Sequence, residues 1–208
     1  MKLRLFLIAV PAAMLLFAAC GDDDDSMDDM SSGAMPSATM SGAAMGSPMA
    51  DDNMDMDMDL AFIDGMSAHH QSAIDMAEIA LEEAEHPEIE QLSNDIISAQ
   101  QSEIEQMSAW RDEWFPGAEQ SMGMPGMEDM AGMNMSAEDM QMLRDADPFD
   151  EMFMEMMIEH HQSAITMAQE IQTTTERPEL QELAGEIISS QQAEIDQMNA
   201  WLAEWYGQ

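Results

Sequence analysis

The chain has 208 residues, enough for one or two ordinary domains; 28 are Met, and the single Cys excludes an internal disulfide bond. It carries 43 acidic residues against five basic ones, which gives a formal net charge of −38. This charge excludes nucleic-acid binding by phosphate neutralisation and adsorption to an anionic membrane surface, since both need clustered Lys or Arg.

Residues 1–20 are predicted to be an export signal that ends in the only cysteine. Lys2 and Arg4 precede an apolar run that is short for a transmembrane helix. The end of this run resembles the lipobox of bacterial lipoproteins, in which the signal is cut before the Cys and the thiol is lipidated. We therefore expect a signal peptide over 1–19 and a lipid on Cys20 that anchors the exported chain to the outer side of the membrane, at the cell surface or in the periplasm. A plain signal peptide is the alternative.

The segment 20–58 is predicted to be a disordered tether. It consists mainly of Gly, Asp, Ser, Met and Ala, so it cannot bury enough surface to offset the entropy lost on ordering. Its last methionines alternate with aspartates over 54–59. Because a disordered polar segment has no packing use for thioethers, we interpret them as soft ligands that capture Cu(I) or Ag(I) loosely. Compositional drift is the alternative interpretation.

Two segments, 59–114 and 150–208, are predicted to be duplicated helical hairpins, which we call hairpin 1 and hairpin 2. At an offset of 91 residues (153 − 62), half of the aligned positions are identical, which indicates an internal duplication. Each segment has two amphipathic helical stretches separated by a proline turn. Because one hairpin cannot cover its own apolar face, the two should pack as an all-α, antiparallel four-helix bundle.

The first helix of each hairpin carries a pair of histidines on the face that should be buried. The apolar residues around each pair recur at three- and four-residue steps, which is typical of one helix face. The pairs are His69 with His70 in hairpin 1 and His160 with His161 in hairpin 2. The fifth histidine of the chain, His86, is interpreted as a solvated turn residue.

The second helix of each hairpin has two polar residues on its buried seam. A buried amide or carboxylate without a partner is costly, so another group must satisfy it. Since the middles of the two helices face each other in a hairpin, the Gln-x-x-Glu residues should lie at the depth of the His pair. Hairpin 1 carries the seam Ile89, Leu92, Ile96, Gln100, Glu103, Met107, Trp110 and Trp114, and hairpin 2 repeats the pattern 91 residues later. The tryptophans are expected to cap the core.

The connector 115–149 joins the hairpins and carries a further series of methionines. Its Pro and Gly residues exclude a long helix, but a short one is predicted at 136–143 with Ser136 as its cap. The connector is long enough to cross from one hairpin to the other or to fold over a bundle end. Its methionine density predicts a second soft-metal surface, formed by Met122, Met124, Met127, Met130, Met133, Met135, Met140 and Met142.

Imidazole and thioether groups are predicted to share a helix face in both hairpins. Met66 lies three residues before His69 and four before His70, and Met157 repeats this arrangement in hairpin 2. Imidazole and thioether together favour copper or silver over hard cations. Ligation requires neutral imidazole, so affinity should fall below about pH 6.5. The candidate metal ligands are Met66, His69, His70, Met76, Met157, His160, His161 and Met167, with Glu103 and Glu194 as orienting or ligating residues.

The same residues leave other interpretations open. Di-iron bundles use Glu-x-x-His on facing helices, and a thioether at the Glu position makes a poor iron site and a better Cu(I) site. The histidines could instead hydrogen-bond Glu103 and Glu194 and carry no metal, because an imidazole–carboxylate pair satisfies both groups. No arrangement for nucleophilic catalysis stands out, since Ser72 and Ser163 adjoin the His pairs in sequence without an Asp that completes a triad.

The motif D-x-x-F-x-x-x-M-x-x-H-H-x-x-A-I-x-M-A, followed by I-I-x-x-Q-x-x-E-I-x-x-M-x-x-W, resembles the DUF305 family of domains of unknown function. It occurs at 59–77 with 96–110 and again at 150–168 with 187–201. The resemblance implies a ferritin-like four-helix fold in an exported protein. Some members are similar to copper-binding proteins of copper resistance with Met and His ligands, which implies the same chemistry here.

The leading hypothesis is therefore an exported, lipid-anchored protein that binds and sequesters Cu(I), with Ag(I) and Cu(II) as alternatives. A ferritin-like metal oxidase is a second hypothesis, although an enzyme is not the favoured class. A structural or interaction bundle, in which His–Glu pairs are core hydrogen bonds, is the third. The expected partners are the metal ion and, through the lipid, the membrane; nucleic acid is excluded and self-association is left open.

Overall fold

The computed structural model describes residues 57–121, 123–127, 132 and 135–208 as a bundle of α-helices, with no strand among these residues. The prediction of an all-α bundle is confirmed. The predicted signal peptide, Cys20 and the tether up to residue 56 lie outside the described residues. No described helix combines the length and apolarity needed to cross a membrane. The elements are α1 (Met58–Glu83), α2 (Pro87–Trp114), α3 (Ala137–Arg144), α4 (Phe149–Thr174), α5 (Pro178–Trp201) and a short π-helix (Leu202–Tyr206).

Local sequence explains where these helices begin. The Asp57 side chain accepts hydrogen bonds from the first backbone N–H groups of α1, as an N-cap does. Pro87 and Pro178 occupy the first turns of α2 and α5, where a missing N–H costs nothing. Helix α3 begins with a capping box between Ser136 and Asp139, which confirms the short helix predicted in the connector.

Helices α1 and α4 pack against each other at the centre, while α2 packs along α1 and α5 packs along α4. Across the central interface, His69 meets Ser163 and Ser72 meets His160. Residue numbers rise along one helix as they fall along the other, so α1 and α4 are antiparallel. The contacts are also reciprocal at the 91-residue offset, as expected for two units related by an approximate twofold axis.

The apolar core consists of two clusters. The first joins the C-terminal half of α1 and the start of α2 to the start of α4 and the end of α5. The second joins the opposite halves of these helices. Between the clusters lies a set of buried polar side chains that we call the polar layer: His69, His70, Gln100, His160, His161, Ser163 and Gln191. The duplication therefore places its polar residues at one depth.

The described part of the connector crosses the central helices. A Cβ atom built on Gly65 of α1 would lie 3.2 Å from the Cα of Gly123. Gly132 lies against the α4 backbone, because a Cβ atom on it would be 2.7 Å from backbone atoms of Glu159 and His160. Of the two courses predicted for the connector, these contacts fit the crossing between hairpins.

The connector methionines do not form one exposed surface. Met124 is 2 % exposed and belongs to the second cluster, so it is a core residue rather than part of the predicted soft-metal surface. Met127 packs partly buried against the same cluster, and Met135 and Met140 pack against the first. Met142 is 51 % exposed. The remaining connector methionines, Met122, Met130 and Met133, lie outside the described residues.

The interpretation of His86 as a solvated turn residue is wrong. Its ring stacks on Trp205 with 4.0 Å between ring centroids, and its Nδ1 lies 2.6 Å from Oδ2 of the buried Asp150. The same carboxylate accepts hydrogen bonds from the backbone N–H groups of Glu85 and His86, at 3.0 and 2.9 Å. His86 thus ties the end of α1 to the start of α4.

Candidate metal centre

The polar layer brings the four paired histidines together inside the bundle. Each is at most 1 % exposed. The rings of His69 and His160 face each other across the α1–α4 interface, with their centroids 3.7 Å apart. Within each sequence pair the centroids are 6.5 Å apart for His69 and His70 and 6.3 Å apart for His160 and His161. Four imidazoles are thus concentrated where the hairpins meet.

The two inner histidines each contact a serine of the opposite hairpin. Nε2 of His69 lies 2.6 Å from Oγ of Ser163, and Nε2 of His160 lies 2.7 Å from Oγ of Ser72. The sequence pattern by itself predicts no role for these serines. Their position three residues after the first His of each pair was the available signal, because it places them on the same helix face.

The two outer histidines contact glutamates within their own hairpins. Nε2 of His70 lies 2.7 Å from Oε2 of Glu103, and Nε2 of His161 lies 2.7 Å from Oε2 of Glu194. The second contact has hydrogen-bond geometry, whereas the first does not. Both glutamates are about one-fifth exposed, at 18 and 21 %. The prediction that the Glu residues lie at the depth of the His pairs is confirmed.

The second ring nitrogen of every one of these histidines is unpartnered. The Nδ1 atoms of all four are buried and have no hydrogen-bond partner among the residues that the structure describes, and the same holds for Oε1 of Gln100 and Gln191. A single buried polar atom without a partner costs about 1–3 kcal/mol. Because most buried polar atoms in proteins are paired, such a concentration in one layer points to a bound ligand or ordered water.

The predicted methionine ligands lie in the apolar clusters on either side of the polar layer. Met76 and Met157 belong to the first cluster, Met66 and Met167 belong to the second, and each is at most 1 % exposed. Among the residues that the structure describes, no group of three or more His, Cys, Asp or Glu side chains is arranged to hold a metal ion.

Burial keeps the inner histidines uncharged. Desolvation lowers the pKa of His69 well below the ordinary value of 6.5, and the neighbouring His70 and His161 lower it further. The pKa of His160 is lowered in the same way by burial and by the other three histidines. Both rings are therefore neutral at pH 6.5, as metal ligation requires. For these two residues, the predicted loss of affinity below about pH 6.5 moves to lower pH.

The chain is similar to one protein family and to solved structures with and without bound metal. The family model described as "Domain of unknown function (DUF305)" matches residues 59–202. The solved structure of CopM in the Cu(I)-bound form is 44 % identical, with a TM-score of 0.62, over 72 % of this chain and 98 % of CopM. CopM has also been solved in Cu(II)-bound and Ag-bound forms.

Two further matches are more distant or shorter. A DUF305 fragment from Deinococcus radiodurans is 29 % identical, with a TM-score of 0.62, over 71 % of this chain and 96 % of the fragment. The uncharacterized protein L153 of Acanthamoeba polyphaga mimivirus is 46 % identical over 55 residues, which are 26 % of this chain. That match spans about a third, 36 %, of this curated relative.

Proposed function

This chain belongs to the DUF305 family, and from that premise we propose that it binds copper, chiefly as Cu(I), and sequesters it outside the cytoplasm. CopM, which was crystallised with Cu(I), Cu(II) and Ag, aligns with this chain over nearly its whole length. Ag(I) is the expected second ion, because it shares with Cu(I) the preference for soft sulfur and nitrogen donors.

The observation that carries the proposal is the set of four buried, unpartnered Nδ1 atoms in the polar layer. Each is an imidazole nitrogen in a bundle whose core also holds buried thioethers on both sides of that layer. Hard cations such as Mg²⁺ and Ca²⁺ prefer six or more oxygen ligands, which the interior of this layer does not supply. The proposed ligands are therefore His69, His70, His160 and His161 with Met66, Met76, Met157 and Met167, while Glu103 and Glu194 orient the outer rings.

The N-terminal sequence supports the proposal of sequestration outside the cytoplasm. A signal peptide over 1–19 and lipidation of Cys20 would hold the bundle at the outer side of a membrane. The net charge of −38 would concentrate cations around it. In this scheme the methionines of the tether and connector deliver Cu(I) to the bundle.

A bundle without metal is the second candidate, and the His–Glu contacts favour it. Each outer imidazole has a carboxylate oxygen 2.7 Å away, so His70 and His161 could serve as core hydrogen-bonding groups alone. This candidate leaves the four Nδ1 atoms without partners, which is why metal binding is the better account.

The test is a Cu(I) titration of residues 21–208 against a competing chelator, with thermal melting followed in parallel. We expect tight binding and a melting temperature that rises with Cu(I), because a ligand of the native state stabilises it. Binding without a rise would place the metal on the Met-rich segments outside the bundle. Absence of binding would favour the second candidate, a bundle that carries no metal.

A variant with all four core histidines changed to Gln assigns the site. Gln keeps an N–H donor at about the reach of Nε2 but removes the Nδ1 ligand, so the bundle should fold and lose tight Cu(I) binding. The matched control is His86→Gln, which makes the same substitution at the histidine outside the polar layer and should bind as the parent does. Unchanged affinity and stoichiometry in the four-Gln variant would rule out the bundle site.

A further inference from the structure

We infer that Ser72 and Ser163 are positioning residues that fix the inner imidazoles in the Nε2–H form and so reserve Nδ1 for the metal. Each serine hydroxyl has a single hydrogen to donate. Oγ of Ser72 donates it to the backbone carbonyl of His69 at 2.8 Å, and Oγ of Ser163 donates it to the carbonyl of His160 at 2.7 Å. A carbonyl oxygen can only accept, so the direction of these bonds is certain.

A hydroxyl that has donated its hydrogen can only accept from any other partner. Each Oγ nevertheless lies 2.6 or 2.7 Å from a ring nitrogen of the opposite hairpin. The ring nitrogen must therefore carry the hydrogen, because two lone pairs would otherwise face each other at hydrogen-bond distance. Nε2–H of His69 donates to Ser163, and Nε2–H of His160 donates to Ser72.

The remaining nitrogen is fixed by the same count. A neutral imidazole, which is the form that binds a metal, has one N–H. With the hydrogen on Nε2, each Nδ1 presents a lone pair, and both Nδ1 atoms are buried without a partner. Nε2 of His161 has a different neighbour, since it lies 2.7 Å from a carboxylate oxygen of Glu194.

The arrangement also makes the two hairpins depend on each other. The serine that orients the imidazole of hairpin 1 belongs to hairpin 2, and the reverse holds as well. A metal ligand is commonly oriented by a hydrogen bond to its other ring nitrogen, and loss of that bond typically lowers metal affinity 10- to 100-fold. Substituting one serine should therefore disturb the histidine of the other hairpin, 88 or 94 residues away in sequence.

The ring forms can be read without metal, by ¹⁵N NMR of the histidines in residues 21–208. His69 and His160 should show the Nε2–H pattern. Ser72→Ala should release His160 and Ser163→Ala should release His69, each giving a mixture of ring forms. The control is Ser67→Ala, which removes an α1 hydroxyl that contacts the Met107 sulfur instead of a histidine and should change neither ring. An Nδ1–H pattern in the unsubstituted chain would overturn the inference whether or not the variants fold.

Cu(I) affinity provides the second readout, and this part rests on the proposed copper function. Each of Ser72→Ala and Ser163→Ala should weaken Cu(I) binding about tenfold or more, whereas Ser67→Ala should not. Ring forms that change while Cu(I) affinity stays constant would overturn the positioning role. Absence of Cu(I) binding by the unsubstituted chain, with the Nε2–H pattern present, would defeat the copper function and leave the assignment of the ring forms standing.

Discussion

The polar layer and the two ends of the bundle preserve the duplication to different degrees. In the layer the same contacts occur in both copies at nearly the same distances: the two His–Ser contacts measure 2.6 and 2.7 Å, and both His–Glu contacts measure 2.7 Å. At the ends one of the equivalent positions holds a different residue, His86 in hairpin 1 and Arg177 in hairpin 2. His86 meets Asp150 at one end, and Arg177 meets Asp59 at the other.

The difference follows from what each place requires. An end requires a donor for a carboxylate and a flat group that covers a tryptophan. The His86 ring, stacked on Trp205, satisfies this, and so does the Arg177 guanidinium, 4.2 Å from the Trp114 ring centroid. The layer requires a ring nitrogen opposite a hydroxyl and a second nitrogen left free, which only histidine supplies. Only histidine can therefore occupy these positions in the layer, whereas either histidine or arginine can occupy the equivalent position at an end.

The largest expected effect is that removing the aspartate at one end lowers the free energy of unfolding much more than removing the aspartate at the other. Asp150 is fully buried and accepts from two backbone N–H groups and the His86 ring, so Asp150→Ala should cost about 3 kcal/mol. Asp59 is 16 % exposed and pairs with the 37 % exposed Arg177, so Asp59→Ala should cost about 1 kcal/mol or less. Urea denaturation at constant slope measures both. Each variant removes one negative charge from the first turn of a helix, so equal losses would contradict the difference between the ends.

The two buried inner histidines of the polar layer predict that the stability of the bundle depends on pH. Burial lowers the folded-state pKa of His69 and His160 well below 6.5, while the unfolded chain takes up protons near 6.5. Below pH 6.5 the unfolded state therefore binds more protons, and the metal-free bundle loses stability as the pH falls toward the folded-state pKa values. Each histidine changes the free energy of unfolding by at most about 1.4 kcal/mol per pH unit, so the two together change it by up to about 2.7 kcal/mol per pH unit.

Urea denaturation between pH 7.5 and pH 5 measures this dependence. The control is a variant in which His69 and His160 are both changed to Gln, which removes the titration and keeps a donor toward each serine. The carboxylates are the same in both proteins, so the difference between the two pH profiles belongs to the inner histidines. Profiles that coincide would show that these rings take up protons in the folded state as readily as in the unfolded state.

The sequence predicts the helices and the depth of the layer because both follow from local patterns. Three- and four-residue spacing defines the faces, and the proline turns set His70 opposite Glu103 within one hairpin. The Ser–His contacts depend on how α1 and α4 dock, which no spacing within a hairpin determines. His86 was misjudged because its partner, Asp150, lies 64 residues away in sequence. Met124 was misjudged because the connector has no periodicity that distinguishes buried from exposed positions.

The connector has no twofold counterpart among the described residues of the bundle, and at Gly132 it lies against α4. Gly132→Ala should destabilise the bundle for two reasons: its φ of 77° disfavours a side chain, and a Cβ atom would meet the α4 backbone at 2.7 Å. Gly126→Ala is the matched control, since its φ is 81° but a Cβ atom there would meet nothing within 4 Å.

We expect the free energy of unfolding, measured by urea denaturation, to fall by about 2 kcal/mol for Gly132→Ala and by about 1 kcal/mol for Gly126→Ala. Both substitutions strain the backbone at a positive φ, but only Gly132→Ala must also displace the backbone of α4. Because the displaced atoms belong to Glu159 and His160, Gly132→Ala should also shift the ring signals of His160 more than those of His69. Equal losses and equal shifts would mean that the connector does not press on α4.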